Sequence, residues 1–307
     1  MSNRTLAITI PTYNRKEILM ENIDMIFDDI VKYNVSLYIS DDSNNNETKD
    51  SVEKLQKKYN NIFYSKNEPS LGHDKNYIKT MSLPKEDYIW YLGDSMVIEN
   101  GAIEKIINII ALDDYNYIAV NAQERKLDLE SKVYTNLKEA FDEIGWHLTL
   151  TGATIYKRST LNVEKINFSE VPNFPQLALI FKNFDGKNIF WTNQKLIHSN
   201  KKKVSYWKKD IFKVFIGDYS KSLRYIFKDK DFDITTLTYM HVHKSGLFGL
   251  TNLINLKIEG VLEDTVLSEY REVIKRMSFG KRFFLMIIKI VPDFLLKRFV
   301  SLIITLR

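Results

Sequence analysis

The sequence predicts an α/β fold in which a doubly wound, mostly parallel sheet has helices on both faces and is followed by a C-terminal helical region. Strand and helix patterns alternate at short spacing up to Ala122, lose this alternation from Gln123, and become helical from Lys208 to Arg307. A βαβαβ alternation with short connections produces a parallel sheet that is covered by helices. Because ligands of such sheets bind beyond the carboxyl ends of the strands, functional residues are expected there.

The predicted elements follow in chain order. Short apolar runs predict strands at 6–11, 35–41, 61–65, 88–93 and 117–122. Helical patterns lie between them at 15–33, 48–59, 74–81 and 101–112. Beyond Gln123, a helix that opens with proline is expected at 172–184, and a strand at 188–197. The polar stretch 199–203 is interpreted as a hinge before the helical remainder.

Composition and charge exclude several classes of protein. Apolar residues make up 44% and charged residues 27% of the 307 residues, which excludes collagen-like and largely disordered chains. The absence of cysteine excludes disulfide scaffolds, thiolate-bound metals and a cysteine nucleophile. Residues 271–307 carry nine basic and two acidic groups, a balance of +7, whereas the first 270 residues have a balance of −2. This nearly neutral body is not typical of a nucleic-acid-binding protein.

Several well-known motifs are missing from the sequence. There is no P-loop, no glycine-rich dinucleotide fingerprint after the first strand, no G-x-S-x-G elbow and no H-E-x-x-H zinc motif. These absences argue against P-loop kinases, dinucleotide oxidoreductases, common hydrolases and zincins. No apolar run is long enough for a signal-peptide core or a transmembrane helix, so a cytoplasmic protein is expected.

Carboxylates follow the carboxyl ends of two predicted strands. Asp41 and Asp42 end the second strand, and Asp94 follows the fourth strand after Gly93. A carboxylate at the first position can accept hydrogen bonds from a nucleobase or a ribose, and an acid at the second can ligate Mg²⁺ or Mn²⁺, which prefer oxygen. Acids after strands also begin turns or cap helices, so the structural interpretation stays open for each of them.

The order of these motifs resembles that of family-2 glycosyltransferases with the GT-A fold, of the type that builds bacterial surface polysaccharides. The resemblance rests on the opening segment Leu6–Arg15, on Ile39–Ser43, on the segment from Asn67 through Gly72 to Asn76, and on the strand Tyr88–Asp94 followed by Gly101-Ala102-Ile103. It covers about residues 5–200. It implies an inverting glycosyltransferase of the hexosyltransferase type that moves a sugar from a nucleotide-sugar, expected to be UDP-linked, to a hydroxyl of a glycan or lipid-linked acceptor.

The resemblance also implies which residues bind the donor. The expected nucleotide contacts are Pro11, Thr12, Tyr13, Asp41, Gly72 and Asn76. Asp94 corresponds to the catalytic acid motif that holds the diphosphate through Mn²⁺ or Mg²⁺.

One departure from the family pattern leaves the metal site open. Members usually have two or three consecutive acids where this chain has Asp94-Ser95-Met96. Three alternatives follow. A downstream histidine, His198, His241 or His243, completes the metal site with Asp94; lysines neutralise the diphosphate instead; or the chain is a non-catalytic binding and assembly module at the membrane.

The catalytic base is expected near the acceptor. Inversion requires a base that deprotonates the attacking hydroxyl, and the family mostly uses an aspartate at the start of a helix, where this chain has Val171–Gln176 without an acid. His147 is therefore predicted as the base, because an imidazole titrates near neutrality. Glu170 is an alternative, and so is a purely structural His147. The neighbouring Trp146 is expected either to stack on a sugar ring or to fill the core.

The C-terminal segment 271–307 has an interrupted apolar run with basic residues. It is expected to form two helices, separated near Pro292, that lie in the interface of an anionic membrane with Lys289, Asp293 and Lys297 toward water. The alternatives are packing against the core or against a second copy in a homo-oligomer. The predicted organisation is a GT-A domain at 1–200, a helical extension with a candidate active-site loop at 201–270, and the tail at 271–307, peripheral at the inner face of the cell membrane.

Overall fold

The computed structural model describes residues 4–125, 127–182, 184–202 and 209–298. These residues form nine strands: β1 (Leu6–Thr12), β2 (Ser36–Asp41), β3 (Ile62–Lys66), β4 (Tyr88–Tyr91), β5 (Met96–Ile98), β6 (Tyr117–Ala122), β7 (Lys132–Tyr134), β8 (Thr154–Lys157) and β9 (Ile189–Ser199). They make one sheet in the order β3-β2-β1-β4-β8-β6-β9-β5, and β7 pairs with β9.

Twelve α-helices lie in the described residues. They are α1 (Lys16–Lys32), α2 (Glu47–Gln56), α3 (His73–Ser82), α4 (Ala102–Leu112), α5 (Leu137–Ala140), α6 (Pro175–Phe181), α7 (Tyr219–Ile226), α8 (Ile234–Lys244), α9 (Leu250–Ile258), α10 (Asp264–Glu269), α11 (Arg271–Ile274) and α12 (Phe279–Ile290). Two π-helical segments, Phe141–Gly145 and Lys213–Asp218, precede Trp146 and α7. No helix among these residues combines the length and apolar character that crossing a bilayer requires.

Every element predicted up to Ala122 is present, with bounds that differ by a few residues. The sheet is mixed rather than mostly parallel, because β8 inserts antiparallel between β4 and β6. Strands β5 and β7 each pair antiparallel with β9. Parallel pairing is continuous only over β3-β2-β1-β4 and between β6 and β9.

The sheet forms because its central strands are buried on both faces. All residues of β2, β4 and β6 are buried, as expected for strands that are covered by helices on either side. Helix α1 presents its buried residues at helical spacing, at Leu19, Ile23, Ile26 and Ile30. The carboxyl ends of β1, β2 and β4 thereby stay fixed at one edge.

The chain divides into two compact units. The sheet unit comprises Met1–Phe168 and Pro175–Val204, and the helical unit comprises Ser169–Phe174 and Ser205–Arg307. The core of the helical unit includes Phe212, Val242, Leu253, Leu285 and Ile288. The structure thus groups residues 209–270 of the predicted extension and the described part of the predicted tail into one unit, whereas residues 201 and 202 belong to the sheet unit. Residues 203–208 of the predicted hinge and active-site loop, and 299–307 of the predicted tail, lie outside the described residues.

Candidate active site

Three of the residues predicted from the sequence meet at the carboxyl edge of the sheet. Strands β1, β2 and β4 are parallel neighbours, and Thr12 pairs directly with Asp41. Asp94 follows β4, and its Oδ2 accepts a hydrogen bond from Thr12 Oγ1 at 3.2 Å. The fold therefore brings together the ends of the strands on which the sequence placed the donor site.

Asp94 is held on several sides. Its Oδ1 lies 3.1 Å from Nη1 of Arg15 in an ion pair, and the two side chains are only 12% and 14% exposed. Its backbone oxygen accepts a hydrogen bond from Asn22 Nδ2 at 2.7 Å. Asn200 donates from its side chain to Asn22 and from its backbone to Ser95. The loop after β4 thus has one defined geometry.

Arg15 was not singled out from the sequence as a site residue. It closes the opening motif Leu6–Arg15 and lies immediately before α1, and that position was the available signal. Its side chain reaches a partner 79 positions away, so only the folded chain shows the pairing.

Asp41 lies beneath this edge, with its side chain completely buried. Its Oδ1 accepts from the backbone N–H of Ser43 at 2.9 Å, and its Oδ2 accepts from the Tyr64 hydroxyl at 2.6 Å. Lys66 Nζ lies 3.5 Å from the same Oδ2. Burial and the hydrogen bond to Asp41 raise the pKa of Tyr64. A nucleoside reaches this carboxylate only if these partners shift, and direct contact with Asp41 stays a prediction.

Asp42 organises the loop on the other face of β2. Its carboxylate accepts four hydrogen bonds at 2.7–2.9 Å, from the side chains of Asn67 and Ser70 and from the backbone N–H groups of Leu71 and Gly72. Burial alone raises the pKa of Asp42, but the four donors outweigh it and hold that pKa below its ordinary value. The loop that leads into α3 is therefore fixed by one carboxylate.

Gly72 and Asn76 act as supports of this loop. Gly72 has a φ of +77°, a conformation that residues with a side chain rarely adopt. The buried Asn76 accepts from Ser40 Oγ at 2.6 Å and from Asn67 Nδ2 at 3.0 Å, which ties β2 to α3. Direct contact of Gly72 or Asn76 with a nucleotide remains a prediction.

Tyr13 is the exposed aromatic residue of the opening motif. The residue is 47% exposed, and its hydroxyl accepts a hydrogen bond from Asn44 Nδ2 at 3.2 Å. Asn14 donates from its backbone to Ser43 Oγ at 2.8 Å, so the turns after β1 and β2 are joined. Pro11 is half-buried just before them. An exposed aromatic ring on a fixed turn can stack on a nucleobase.

His147 lies in the interior, away from solvent. The residue is fully buried, its Nε2 lies 2.8 Å from the carbonyl oxygen of Val120, and its ring packs edge-on against Trp191 with the centroids 5.1 Å apart. Burial lowers the pKa of His147 to about 3. These surroundings favour the structural interpretation of His147 over the predicted role as catalytic base. Trp146 beside it carries the guanidinium of Arg125 on its ring face, 4.4 Å from the centroid.

The start of α6, where the resemblance noted in the sequence implies a catalytic base, carries no acid. Gln176 is buried there and donates from Nε2 to the carbonyl oxygen of Thr149 at 2.8 Å. Glu170 belongs to the helical unit, where its carboxylate lies 3.7 Å from Lys221 Nζ.

The histidines proposed to complete a metal site have other partners. His198 Nδ1 lies 2.5 Å from Glu99 Oε1. His241 and His243 lie on α8 in the helical unit, where His241 stacks on Tyr219 with the ring centroids 4.0 Å apart. Within the described ranges, no three His, Cys, Asp or Glu side chains come together so that they could hold a metal ion. The Asp94 carboxylate itself already accepts from Thr12 and Arg15.

Comparison with known proteins agrees with this geometry. The sequence profile described as glycosyl transferase family 2 matches residues 7–168, more than half of the chain. The chain belongs to this family. A segment of 91 residues is 35% identical to the abequosyltransferase RfbV of Salmonella typhimurium, which is 29% of this chain and 27% of that protein. The match thus spans about a quarter of the length of this curated relative.

Solved structures show the same fold. Residues 1–349 of TarS from S. aureus, solved with UDP-GlcNAc, superpose with a TM-score of 0.60 at 12% identity and cover 93% of this chain and 90% of that chain. The mannosyltransferase PcManGT from Pyrobaculum calidifontis, solved with GDP-Man and Mn²⁺, gives 0.55 at 8% identity over 93% and 87%. The predicted GT-A-like fold class is confirmed.

Proposed function

We propose that this family-2 protein is an inverting glycosyltransferase. It moves a sugar from a nucleotide-sugar, expected to be UDP-linked, to a hydroxyl of a glycan or lipid-linked acceptor during synthesis of a surface polysaccharide. The observation that carries the proposal is the convergence of Thr12, Asp41 and Asp94 at the carboxyl edge of the sheet. The segment shared with an abequosyltransferase supports sugar transfer as the reaction class.

The chain's own residues account for donor binding. The exposed ring of Tyr13 offers a stacking face to the nucleobase, and the loop held by Asp42 shapes the edge beside it. Arg15 and Lys66 supply positive charge at the ends of β1 and β3. In the proposed reaction the acceptor oxygen bonds to the anomeric carbon as the bond from that carbon to the diphosphate breaks, and the hydroxyl proton leaves to a base.

A thermal-shift panel of UDP, GDP, CMP and dTDP, each in EDTA and in Mn²⁺, tests the donor site. A nucleotide at one hundred times its Kd stabilises the protein by about 2.7 kcal/mol, and we expect UDP to give the largest shift. If no nucleotide raises the Tm under either condition, the transferase proposal fails and the non-catalytic assembly module is favoured.

We further propose that α12 holds the protein at an anionic membrane surface. One face of α12 is buried in the helical core at Leu285 and Ile288. The opposite face exposes an apolar stripe that continues past the helix end: Phe279, Phe283, Met286, Ile290 and Phe294. Residue exposures of 75% at Phe279 and 81% at Ile290 are those of an unpartnered face. Basic residues in the same segment suit anionic head groups.

The charged residues of this segment have ion-pair partners and stay partly or largely exposed. Lys289 pairs with Asp264, and Asp293 lies 3.6 Å from Lys257 while its own side chain is 51% exposed. Lys297 is exposed as well. Truncation before Gly280 would remove the buried Leu285, Ile288 and Leu296 from the core. Surface substitutions are therefore the cleaner test of membrane binding.

A further inference from the structure

We infer that Arg15, and not a divalent metal on Asp94, supplies the positive charge that binds the donor diphosphate, and that Asp94 positions Arg15. This inference rests on the proposed function, because it assigns the diphosphate contact within the same donor site.

The first observation is the state of the Asp94 carboxylate. One oxygen accepts from Arg15 Nη1 at 3.1 Å and the other from Thr12 Oγ1 at 3.2 Å. Both Asp94 and Arg15 are mostly buried, so the pair is shielded from solvent. A cation that bound to Asp94 would have to displace a guanidinium that is already in place, or sit beside it against like-charge repulsion.

The second observation is the composition of the site. Mg²⁺ requires near-octahedral oxygen ligands at about 2.0–2.1 Å, usually from one or two carboxylates with the substrate phosphates. The residues after Asp94 are Ser95 and Met96, so the loop offers no second carboxylate. A single carboxylate that already pairs with Arg15 is better suited to hold the guanidinium group than to bind a metal ion.

The third observation is where Arg15 lies and what it offers. It ends the turn that follows β1 and immediately precedes the 17-residue helix α1. The guanidinium is planar, stays charged at all relevant pH values and matches phosphate oxygens in a two-pronged arrangement. The N-terminal end of α1 adds positive potential at the same place. The diphosphate thus meets a fixed cation at the end of the motif that carries Tyr13.

Asp94 is assigned the role of positioning Arg15 because several hydrogen bonds fix the position of Asp94 itself. Asn22 holds its backbone oxygen at 2.7 Å, and Asn200 holds Asn22 at 2.9 Å. A carboxylate fixed in this way keeps the long Arg15 side chain in one orientation, which reduces the conformational entropy that binding would otherwise cost. Asp94 is in this view a positioning residue, and Arg15 is the residue that contacts the diphosphate.

The test compares nucleotide and nucleoside binding by calorimetry. The probes are UDP and uridine, or the matching pair for whichever nucleotide gives the largest thermal shift, each in EDTA and in Mn²⁺. The variants are Arg15→Gln, Arg15→Lys and Asp94→Asn. Lys16→Gln is the matched control, because Lys16 is the neighbouring cation and pairs with Glu17 rather than with Asp94.

We expect the nucleoside diphosphate to bind wild-type protein equally well in EDTA and in Mn²⁺. Arg15→Gln should lower that affinity roughly 10- to 100-fold, the loss expected for charge-assisted hydrogen bonds, while uridine affinity is unchanged. Retained uridine binding shows that the variant is folded. Arg15→Lys and Asp94→Asn should give intermediate losses, and Lys16→Gln should bind as the wild type does.

The outcomes separate this inference from the proposed function. Nucleotide binding that requires Mn²⁺, or wild-type affinity in Arg15→Gln, overturns the role of Arg15 and leaves the transferase intact. Failure of every nucleotide to bind, with or without Mn²⁺, overturns both.

Discussion

The carboxyl edge of the sheet and the outer face of α12 are built in opposite ways. At the sheet edge, polar side chains are buried and each one has assigned partners, such as the four donors to Asp42. On α12, several apolar side chains are exposed, as at Phe279 and Ile290, although Phe279 and Phe283 stack on each other. The hydrogen bonds at the sheet edge fix one geometry. The apolar surface of α12 can bind another apolar surface, but it does not fix the orientation of that contact.

This contrast sets how each region should respond to substitution. A buried polar network is costly when one member is removed, because its partners lose their hydrogen bonds in a medium that cannot replace them. Burial of apolar surface is roughly additive and does not depend on direction. A single substitution at the sheet edge should therefore cause a large loss of stability or binding. Substitutions on α12 should each cause a smaller loss that grows with the apolar area removed.

The largest effect is expected from Asp42→Ala. The substitution leaves two partly buried backbone N–H groups and two side-chain donors without their acceptor, which should destabilise the fold by about 3–5 kcal/mol. Urea unfolding measures this, with the exposed Asp50→Ala as control. Since the folded pKa of Asp42 is lowered, its contribution is present above the ordinary value of 3.8 and is lost as pH falls through the folded pKa. A loss below 1 kcal/mol would mean that the loop does not depend on this carboxylate.

The next effect concerns the apolar stripe. Phe283→Ser with Ile290→Ser should weaken binding to anionic vesicles by about 1.5–3 kcal/mol for each side chain that becomes fully buried. Co-sedimentation with anionic and neutral vesicles at low and high salt measures it. Leu112→Ser, an exposed apolar residue on α4, is the matched control. If the wild type stays in the supernatant throughout and runs as an oligomer that the double variant dissolves, the stripe is an interface between copies.

A smaller effect is expected from Asp41→Ala. Loss of the carboxylate releases Tyr64 and Lys66 at the end of β3, so nucleotide affinity should fall by about tenfold, as for the loss of one or two hydrogen bonds. Calorimetric titration of the variant gives the affinity, and its far-UV circular dichroism reports the fold. Unchanged affinity would refute the assignment of Asp41 to the donor site.

The smallest effect on transfer is expected from His147→Gln. Because the pKa of His147 is lowered to about 3, its ring stays neutral at working pH, and the pH profile of sugar transfer should keep its midpoint in the variant. The substitution should instead change how the free energy of unfolding depends on pH. The unfolded chain binds a proton between the ordinary pKa of 6.5 and about 3, so the contribution of His147 is present above 6.5 and is lost toward acid. Loss of the acidic limb of the profile in the variant, where the rate rises as a general base loses its proton, would restore His147 as the base.

The part of the fold that the sequence predicted is the part built from local patterns. Strands β1 to β4 are short apolar runs that alternate with helical patterns, so their presence and their parallel pairing could be predicted. The insertion of β8 between β4 and β6 depends on pairing between distant segments, and the three-residue β5 is too short to give a pattern. That half of the sheet could not be predicted from the spacing of residues.

The same limit applies to the site. Thr12, Asp41 and Asp94 could be placed together because parallel strands end at one edge. The pairing of Arg15 with Asp94 and the burial of His147 depend on side-chain packing across the whole unit, which residue types alone do not encode. For α12 the apolar residues surround most of the helix, so its sequence did not show which face is packed in the core.

An apolar stripe that binds a membrane, as proposed for α12, would change how often the protein meets a lipid-linked acceptor. A soluble enzyme searches a volume, whereas a protein adsorbed to the bilayer that carries a lipid-linked acceptor searches a plane. Confinement of both partners raises the effective concentration of the acceptor, and avidity can then exceed either affinity by about 10²–10⁴ without a new contact. A transferase tethered in this way can work with an acceptor subsite that binds weakly, and it can release each elongated glycan quickly.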